Sequence, residues 1–466
     1  MSRLIVVSNR VSPPGGKGGP ANQGGLAMAL SAALREYKGL WFGWSGEITE
    51  QFTGELNTQT TDGVTVATVD LEQTDFDEYY NGFANRTLWP LFHYRIDLAM
   101  FDRAFGEGYD RVNTLFAKTL APLIEPGDVV WVHDYHLIPL ARELRKLGVT
   151  NPIGFFLHIP WPARQLFVAL PRHRQLVKAL FDYDLVGFQT EEHLEAFQGY
   201  VQHDIEGRCE PDGHLTAFGR RIRAAAYPIG IDAKAYAQAS RSLAAQRSFE
   251  RVFVSAAGRK VIVGVDRLDY SKGLEDRLLG YERFLADHAD WRGQCFLLQI
   301  APPSREAVDE YVEMRARLET HIGRINGMYA DVDWNPVRYV NQGYPRDELA
   351  GIYRAARVGL VTPLRDGMNL VAKEYVAAQR ADDPGVLILS QFAGAALQMK
   401  EALIINPFSQ EDLADALDRA LAMSRAERVQ RWETLMHGVA SQDVTAWRDA
   451  FVTDLQSVRP AMAPAA

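Results

Sequence analysis

The chain has 466 residues, enough for two or three domains rather than one core. With 47% hydrophobic and 23% charged residues it has the balance of a soluble globular protein, and its formal charge of −9 argues against a general nucleic-acid binder, which needs a basic stripe. The two cysteines, Cys209 and Cys295, stand far apart without CxxC or Cys/His spacing, which argues against a disulfide framework or a structural zinc and for a reducing compartment. MSRLIVVSNR is a short apolar strand rather than the h-region of a signal peptide, and no run reaches the roughly 18 apolar residues of a membrane span. A cytoplasmic protein is expected.

Buried strands alternate with helical stretches from the start. RLIVVS (Arg3–Ser8) is a strand, followed by the glycine-rich PPGGKGGPANQGG and the helix GLAMALSAALREY. Strand, glycine loop and helix together bring backbone amides against phosphates. The loop matches neither a Walker A motif nor GxGxxG. Gly24 and Gly25, at the helix start, and Arg10, past the strand, are its ligand candidates. An irregular aromatic segment follows, with LWFGWSG (Leu40–Gly46) and DEYYNGFANRTLWPLFHY (Asp77–Tyr94). Most of these rings belong to a core, but Tyr80 and Trp89 carry polar handles suited to a sugar pocket. The strands VVWVH and GFFL end at Asp134 and His158, the carboxyl ends at which open parallel sheets bind ligands. DLVGFQT with the helix EEHLEAFQGYV, then the strand RIRAAAYPIGID (Arg221–Asp232), close this half, with a boundary near Ile231. Asp182/Asp184 and Asp331/Asp333 each form a D-x-D triplet, too short to specify a metal–diphosphate site, and are assigned to turns and caps.

A second series begins with the strand VIVGV, which ends at Asp266; Arg267 and Lys272 follow it beside Gly273 as a diphosphate clamp, or else pair with Asp266 and Asp269. QCFLLQIA brings Arg305 to another strand end. Further strands are VRYVN, VGLVTP, VLILS and ALIINP. Between VGLVTP and VLILS runs TPLRDGMNLVAKEYVAAQ, a turn on Asp366 and Gly367 with a helix from near Met368. The free N–H groups of that helix start favour an anion. Asp366 and Glu374 flank them, roughly two helical turns apart, and this stretch alone fits a plain N-cap and a solvated glutamate equally well. Glu411–Val458 forms two or three amphipathic helices. The fold class expected is α/β, two Rossmann-like domains facing each other across a cleft: residues 1–231, then 232–444, with a helix at about 445–460 packing back on the first.

RLIVVSNR, GLWFGWSG, WVHDYHL, FFLHIPWP, VDRLDYSKG, RINGMY and TPLRDGMNLVAKEYVAAQ, in this order, resemble the trehalose-6-phosphate synthases, retaining glucosyltransferases of the GT-B architecture in glycosyltransferase family 20. The resemblance implies glucose transfer from a nucleotide sugar, usually UDP-glucose, to glucose 6-phosphate. It implies Arg10, Tyr80, Trp89 and Arg305 on the acceptor and its phosphate, and Asp134 and His158 at the reaction centre. For the donor it implies Arg267 and Lys272 on the diphosphate with Gly25 near it; Asp366 and the backbone of Gly367, Met368, Asn369, Leu370 and Val371 facing glucose and phosphates; and Glu374 on the ribose. Front-face attack, with the donor phosphate taking the acceptor's proton, needs no carboxylate pair, and domain closure would exclude water. No cofactor or metal is expected. A homo-oligomer is, and so is a separate trehalose-6-phosphate phosphatase downstream. Trp161 stands where relatives often have phenylalanine, and the variable glycine loop leaves UDP, GDP or ADP open as the donor nucleotide. The rivals are another phosphorylated acceptor such as glycerol 3-phosphate, a catalytically silent sugar-phosphate sensor, and a phosphorylase, for which no pyridoxal-phosphate lysine context is present.

Overall fold

Short continuous runs of Val, Ile, Leu and Phe suit strands covered on both faces, and the computed structural model places them so. It describes residues 3–11, 34, 38–52, 54–61, 63–305 and 308–458; Gly24 and Gly25 lie outside them. The chain forms two units, Met1–Pro228 with Trp447–Ala466, and Ile229–Ala446. Among the described residues no helix is long and apolar enough to cross a membrane.

The first unit is built on ten strands: β1 (Leu4–Arg10), β2 (Leu40–Thr49), β3 (Asn57–Thr61), β4 (Val64–Glu72), β5 (Val129–His133), β6 (Ile153–Phe156), β7 (Leu185–Phe188), β8 (Arg208–Cys209), β9 (His214–Ala217) and β10 (Arg220–Ala226). They order as β3-β4-β2-β1-β5-β6-β7-β10-β9-β8. The run from β4 to β10 is parallel, and only the edge pairs with β3, β9 and β8 are antiparallel. The winding direction reverses between β1 and β5, so this unit's crevice lies beyond the ends of those two strands. β10 stops at Ala226 instead of running to Asp232; Pro228 has no N–H for the ladder.

The helix Val444–Ser457 supplies part of this core. Phe451 stacks on Trp131 of β5 at 4.7 Å, and Trp447 lies 4.9 Å from the same ring. Gly154 and Gly187, on β6 and β7, make room for it: a Cβ on either would stand 2.8 or 2.7 Å from the Phe451 ring.

The second unit carries β11 (Lys260–Val265), β12 (Cys295–Ile300), β13 (Val337–Val340), β14 (Val358–Val361), β15 (Val386–Ser390) and β16 (Leu403–Ile405). All are parallel, in the order β13-β12-β11-β14-β15-β16. This is the Rossmann order, whose switch point lies between β11 and β14. After β16 come the helices Gln410–Ala422 and Arg425–Ser441.

Candidate active site

At the switch point of the first unit, Arg10 ends β1 and Asp134 follows β5. Asp134 has φ 77° and ψ 166°, a conformation that costs a non-glycine residue on the order of 1–3 kcal/mol and is held only where its surroundings fix it. Its N–H donates to the Phe156 carbonyl at 2.8 Å, and its Oδ1 accepts from the His158 backbone N–H at 3.2 Å. The ends of β5 and β6 are thereby tied through the aspartate. His133 and His158 face each other across these strands, Nδ1 to Nε2 at 3.0 Å. Burial pushes His158 down to about 3, and burial together with His158 holds His133 well below the usual histidine range. Both rings are neutral at pH 7.

The aromatic segment expected to be irregular is a continuous helix, Gln73–Phe92, with π-helical turns over Phe76–Leu88. The Trp89 N–H reaches the Ala84 carbonyl, five residues back. Such wide turns are rare and concentrate at functional sites. The helix brings Tyr80 and Trp89 into one series of rings with Arg10. The Arg10 guanidinium lies over Trp44 at 5.6 Å, Trp44 is 5.7 Å from Tyr80, and Tyr80 stacks on His136 at 5.9 Å. His136 packs at 3.9 Å on Tyr135, which lies 5.7 Å from Trp89. Gly46, with φ 95°, leaves room for Arg10, because a Cβ there would stand 2.5 Å from its Nε. Trp89 is only 5% exposed and has its neighbours on His93 and Tyr135. Trp44, Tyr135 and His136, which stand in the motifs GLWFGWSG and WVHDYHL, complete this wall beyond the residues expected from the sequence.

In the second unit β11 and β14 deliver Asp266, Arg267, Lys272 and Asp366 to the switch point. The carboxylates take partners from further along the chain. Asp266 accepts from Arg277, a fully buried side chain (0% exposed) whose other nitrogens reach Thr362 and Gln299. Asp269 accepts from Ser271 and from Arg305, which Tyr311 also contacts. Lys272 instead reaches Asp366, Nζ to Oδ2 at 2.5 Å. Gly273, with φ 64°, closes that loop so tightly that a Cβ would meet the Thr362 carbonyl at 2.4 Å. Arg267 is exposed beside it.

The helix after Asp366 begins at Leu370, not near Met368, because Asn369 takes a left-handed φ of 68°. Asp366 is no N-cap: its carboxylate holds Lys272 and the Asn369 amide. Gly367, Met368 and Asn369 are thus a buried approach to the helix, and Leu370 and Val371 lie in its first turn, where N–H groups have no partner inside the helix. Glu374 is half-buried on this helix; burial pushes its carboxyl up to about 7, with Arg346 partly opposing.

Both D-x-D triplets are committed to structure. Asp182 pairs with Arg220, Asp184 with Arg145 and Asp333 with Arg259, while Asp331 accepts from the Val332 N–H. Glu210, Asp212 and His214 cluster on the β8–β9 hairpin, but Arg221 contacts both carboxylates.

Comparison with known proteins agrees with this picture. Residues 5–457 match the model of Glycosyltransferase family 20. The trehalose-6-phosphate synthase of Cronobacter sakazakii is 49% identical over 460 residues, covering 99% of this chain and 96% of that relative. A UDP-forming alpha,alpha-trehalose-phosphate synthase from Burkholderia xenovorans, solved in complex with glucose-6-phosphate, superposes with a TM-score of 0.94 at 49% identity, covering 98% of this chain and all of that one. The Escherichia coli structure bound with UDP-2-fluoro glucose gives 0.94 at 46% identity and the same coverage. With its motifs, its two switch points and these likenesses spanning nearly every residue, the chain belongs to glycosyltransferase family 20.

Proposed function

We propose that this chain transfers glucose from UDP-glucose to glucose 6-phosphate with retention of configuration, giving α,α-trehalose 6-phosphate and UDP. One observation carries the reading: a relative 49% identical over 98% of the chain holds glucose 6-phosphate, and one 46% identical holds a UDP-glucose analogue. In this reading Arg10, Tyr80, Trp89 and Arg305 hold the acceptor and its phosphate, and the other charged groups of the second unit hold the donor. Glu374 takes the ribose hydroxyls, and the N–H groups around Leu370 and Val371 face the phosphates.

The chemistry follows from where charge develops. As the bond from the donor's anomeric carbon to the β-phosphate oxygen breaks, negative charge grows on the diphosphate and positive charge on the ring. Lys272 leaves Asp366 for the diphosphate, and with Arg267 and the helix amides it stabilises that developing charge, which is transition-state rather than uniform binding. Asp134 and His158 position the sugars. The acceptor's anomeric hydroxyl forms the new bond on the same face, and its proton passes to the leaving phosphate oxygen. Lysine, arginine and amides do the work that a divalent ion does in D-x-D enzymes, so the reaction runs without metal. A cytoplasmic homo-oligomer, with a separate phosphatase acting on the product, completes the proposal.

The test is nucleotide release from UDP-, GDP- and ADP-glucose with and without glucose 6-phosphate, in EDTA, with NMR of the product linkage. UDP release that requires glucose 6-phosphate and yields a 1,1-linked disaccharide phosphate is expected. Activity only with glycerol 3-phosphate would replace the acceptor. Binding of glucose 6-phosphate with no release from any donor would overturn the reaction and leave a sensor.

A further inference from the structure

The bond between the rings of His133 and His158 holds one proton, and its direction decides what His158 offers a ligand. His133 Nε2 is buried with no hydrogen-bond partner, and Trp131, Phe156 and Trp447 pack around the ring. Were His158 to donate through Nε2, His133 would accept at Nδ1 and have to carry its own proton on Nε2, a buried N–H facing aromatic rings. Orphaned buried N–H groups are rare in native proteins, and a bare acceptor is the lesser penalty. The favoured arrangement has His133 donating from Nδ1 to His158 Nε2. The His158 proton then sits on Nδ1, which lies 3.4 Å from the Gln189 side-chain nitrogen. For that proton to be accepted there, the amide has to present its oxygen in place of its nitrogen. At 3.4 Å the contact is weak, so a closer acceptor displaces it.

We propose that His133 is a positioning residue that fixes His158 as a neutral ring with its proton on Nδ1, a hydrogen-bond donor to a hydroxyl of the bound sugar. This rests on the reaction proposed above, in which His158 contacts a sugar and the leaving phosphate, not a histidine, takes the acceptor's proton. A second proton would need desolvation of a cation in this cage, which burial opposes at both rings. The titratable groups that face the pair are each other and Asp134, whose carboxylate accepts from the His158 backbone N–H. The helix Val444–Ser457 presents Trp447 to both rings.

Two-bond 1H–15N correlation spectra of the full chain labelled with 15N-histidine read this directly, with His133→Asn and His158→Asn used to assign the signals. Both rings are expected to be neutral and protonated at Nδ1 at pH 7. A His158 ring protonated at Nε2, or at both nitrogens, would overturn the proposal. The spectrum needs no turnover, so it stands apart from whether glucose is transferred. In His133→Phe, kcat should fall by roughly tenfold to a hundredfold, with KM for both substrates held within about twofold, and the His158 signals should show a mixture of Nδ1 and Nε2 tautomers as its proton is no longer directed. His133→Asn, whose amide N–H stands in for Nδ1–H, should recover most of kcat. Equal impairment in both variants, or full kcat in His133→Phe, would reduce His133 to a packing residue.

Discussion

The two switch points solve the same topological problem with opposite materials. In the first unit the strand ends meet a row of rings, Trp44, Tyr80, His136, Tyr135 and Trp89, with a pair of neutral histidines beside it. In the second, cations are already matched to carboxylates: Lys272 to Asp366, Arg277 to Asp266 and Arg305 to Asp269. Rings and neutral imidazoles offer orientation with little stored charge, so a sugar that fills such a site mainly replaces water. A lysine held at 2.5 Å by a carboxylate must exchange partners before it grips a phosphate, so anion binding there is a competition. The difference predicts that losing the paired cation Lys272 of the second unit acts on turnover, whereas losing Arg10 beside the rings of the first acts on acceptor binding.

Lys272→Ala should give the largest effect, a drop in kcat of roughly a hundredfold to a thousandfold, the range for losing one donor to a developing anion. Its melting temperature should move little, because the freed Asp366 keeps the Asn369 amide and some water. Comparable losses of turnover and stability would make the lysine structural and break the contrast. Arg10→Ala should raise KM for glucose 6-phosphate by about tenfold to a hundredfold, the worth of a charge-assisted hydrogen bond or two, with kcat nearly kept. A fall in kcat alone would show that the two units do not divide labour in this way.

The smallest effect concerns Glu374, pushed up to about 7 from an ordinary 4.5. Between these values the folded chain holds a proton that the unfolded chain has released. Stability should therefore fall as pH rises from about 4.5 to 7, by a few kcal/mol at most, and Glu374→Gln should flatten that slope in melting curves. Lys373, which burial pushes down to about 7, acts in the opposite sense above pH 7 and leaves this window clear. Donor binding should strengthen as pH rises through 7, as the carboxylate becomes able to accept from both ribose hydroxyls, and should lose that dependence in the glutamine variant. A donor affinity independent of pH in the unaltered protein would remove Glu374 from the ribose.

Much of this was legible in the sequence, for a simple reason. Parallel strands are continuous apolar runs, so whatever polar residue ends a run stands at a strand end, and Asp134, His158, Asp266, Arg267 and Asp366 could be placed by counting. The segment Asp77–Tyr94 was not legible, because π-helical turns break the 3.6-residue period on which a helix is recognised. Charge partners were hidden for a different reason. Asp269 and Lys272 are close in sequence, yet Arg305 and Asp366 claim them from other loops, and nothing local announces a pairing across such separations. The helix start was misjudged by a left-handed Asn369, a conformation that asparagine tolerates without demanding it.

Phe451 and Trp447 fill the space left by Gly154 and Gly187 beside Trp131, which makes the first unit discontinuous in the chain while the second, Ile229–Ala446, is one unbroken stretch. During synthesis, the order of completion is therefore the reverse of the order of translation. The sheet that opens the chain lacks part of its core until Trp447 and Phe451 have left the ribosome, by which time the whole of the later unit has emerged and is free to close. The nascent first unit spends that interval with apolar strand faces uncovered, the stage at which chaperones have most to hold.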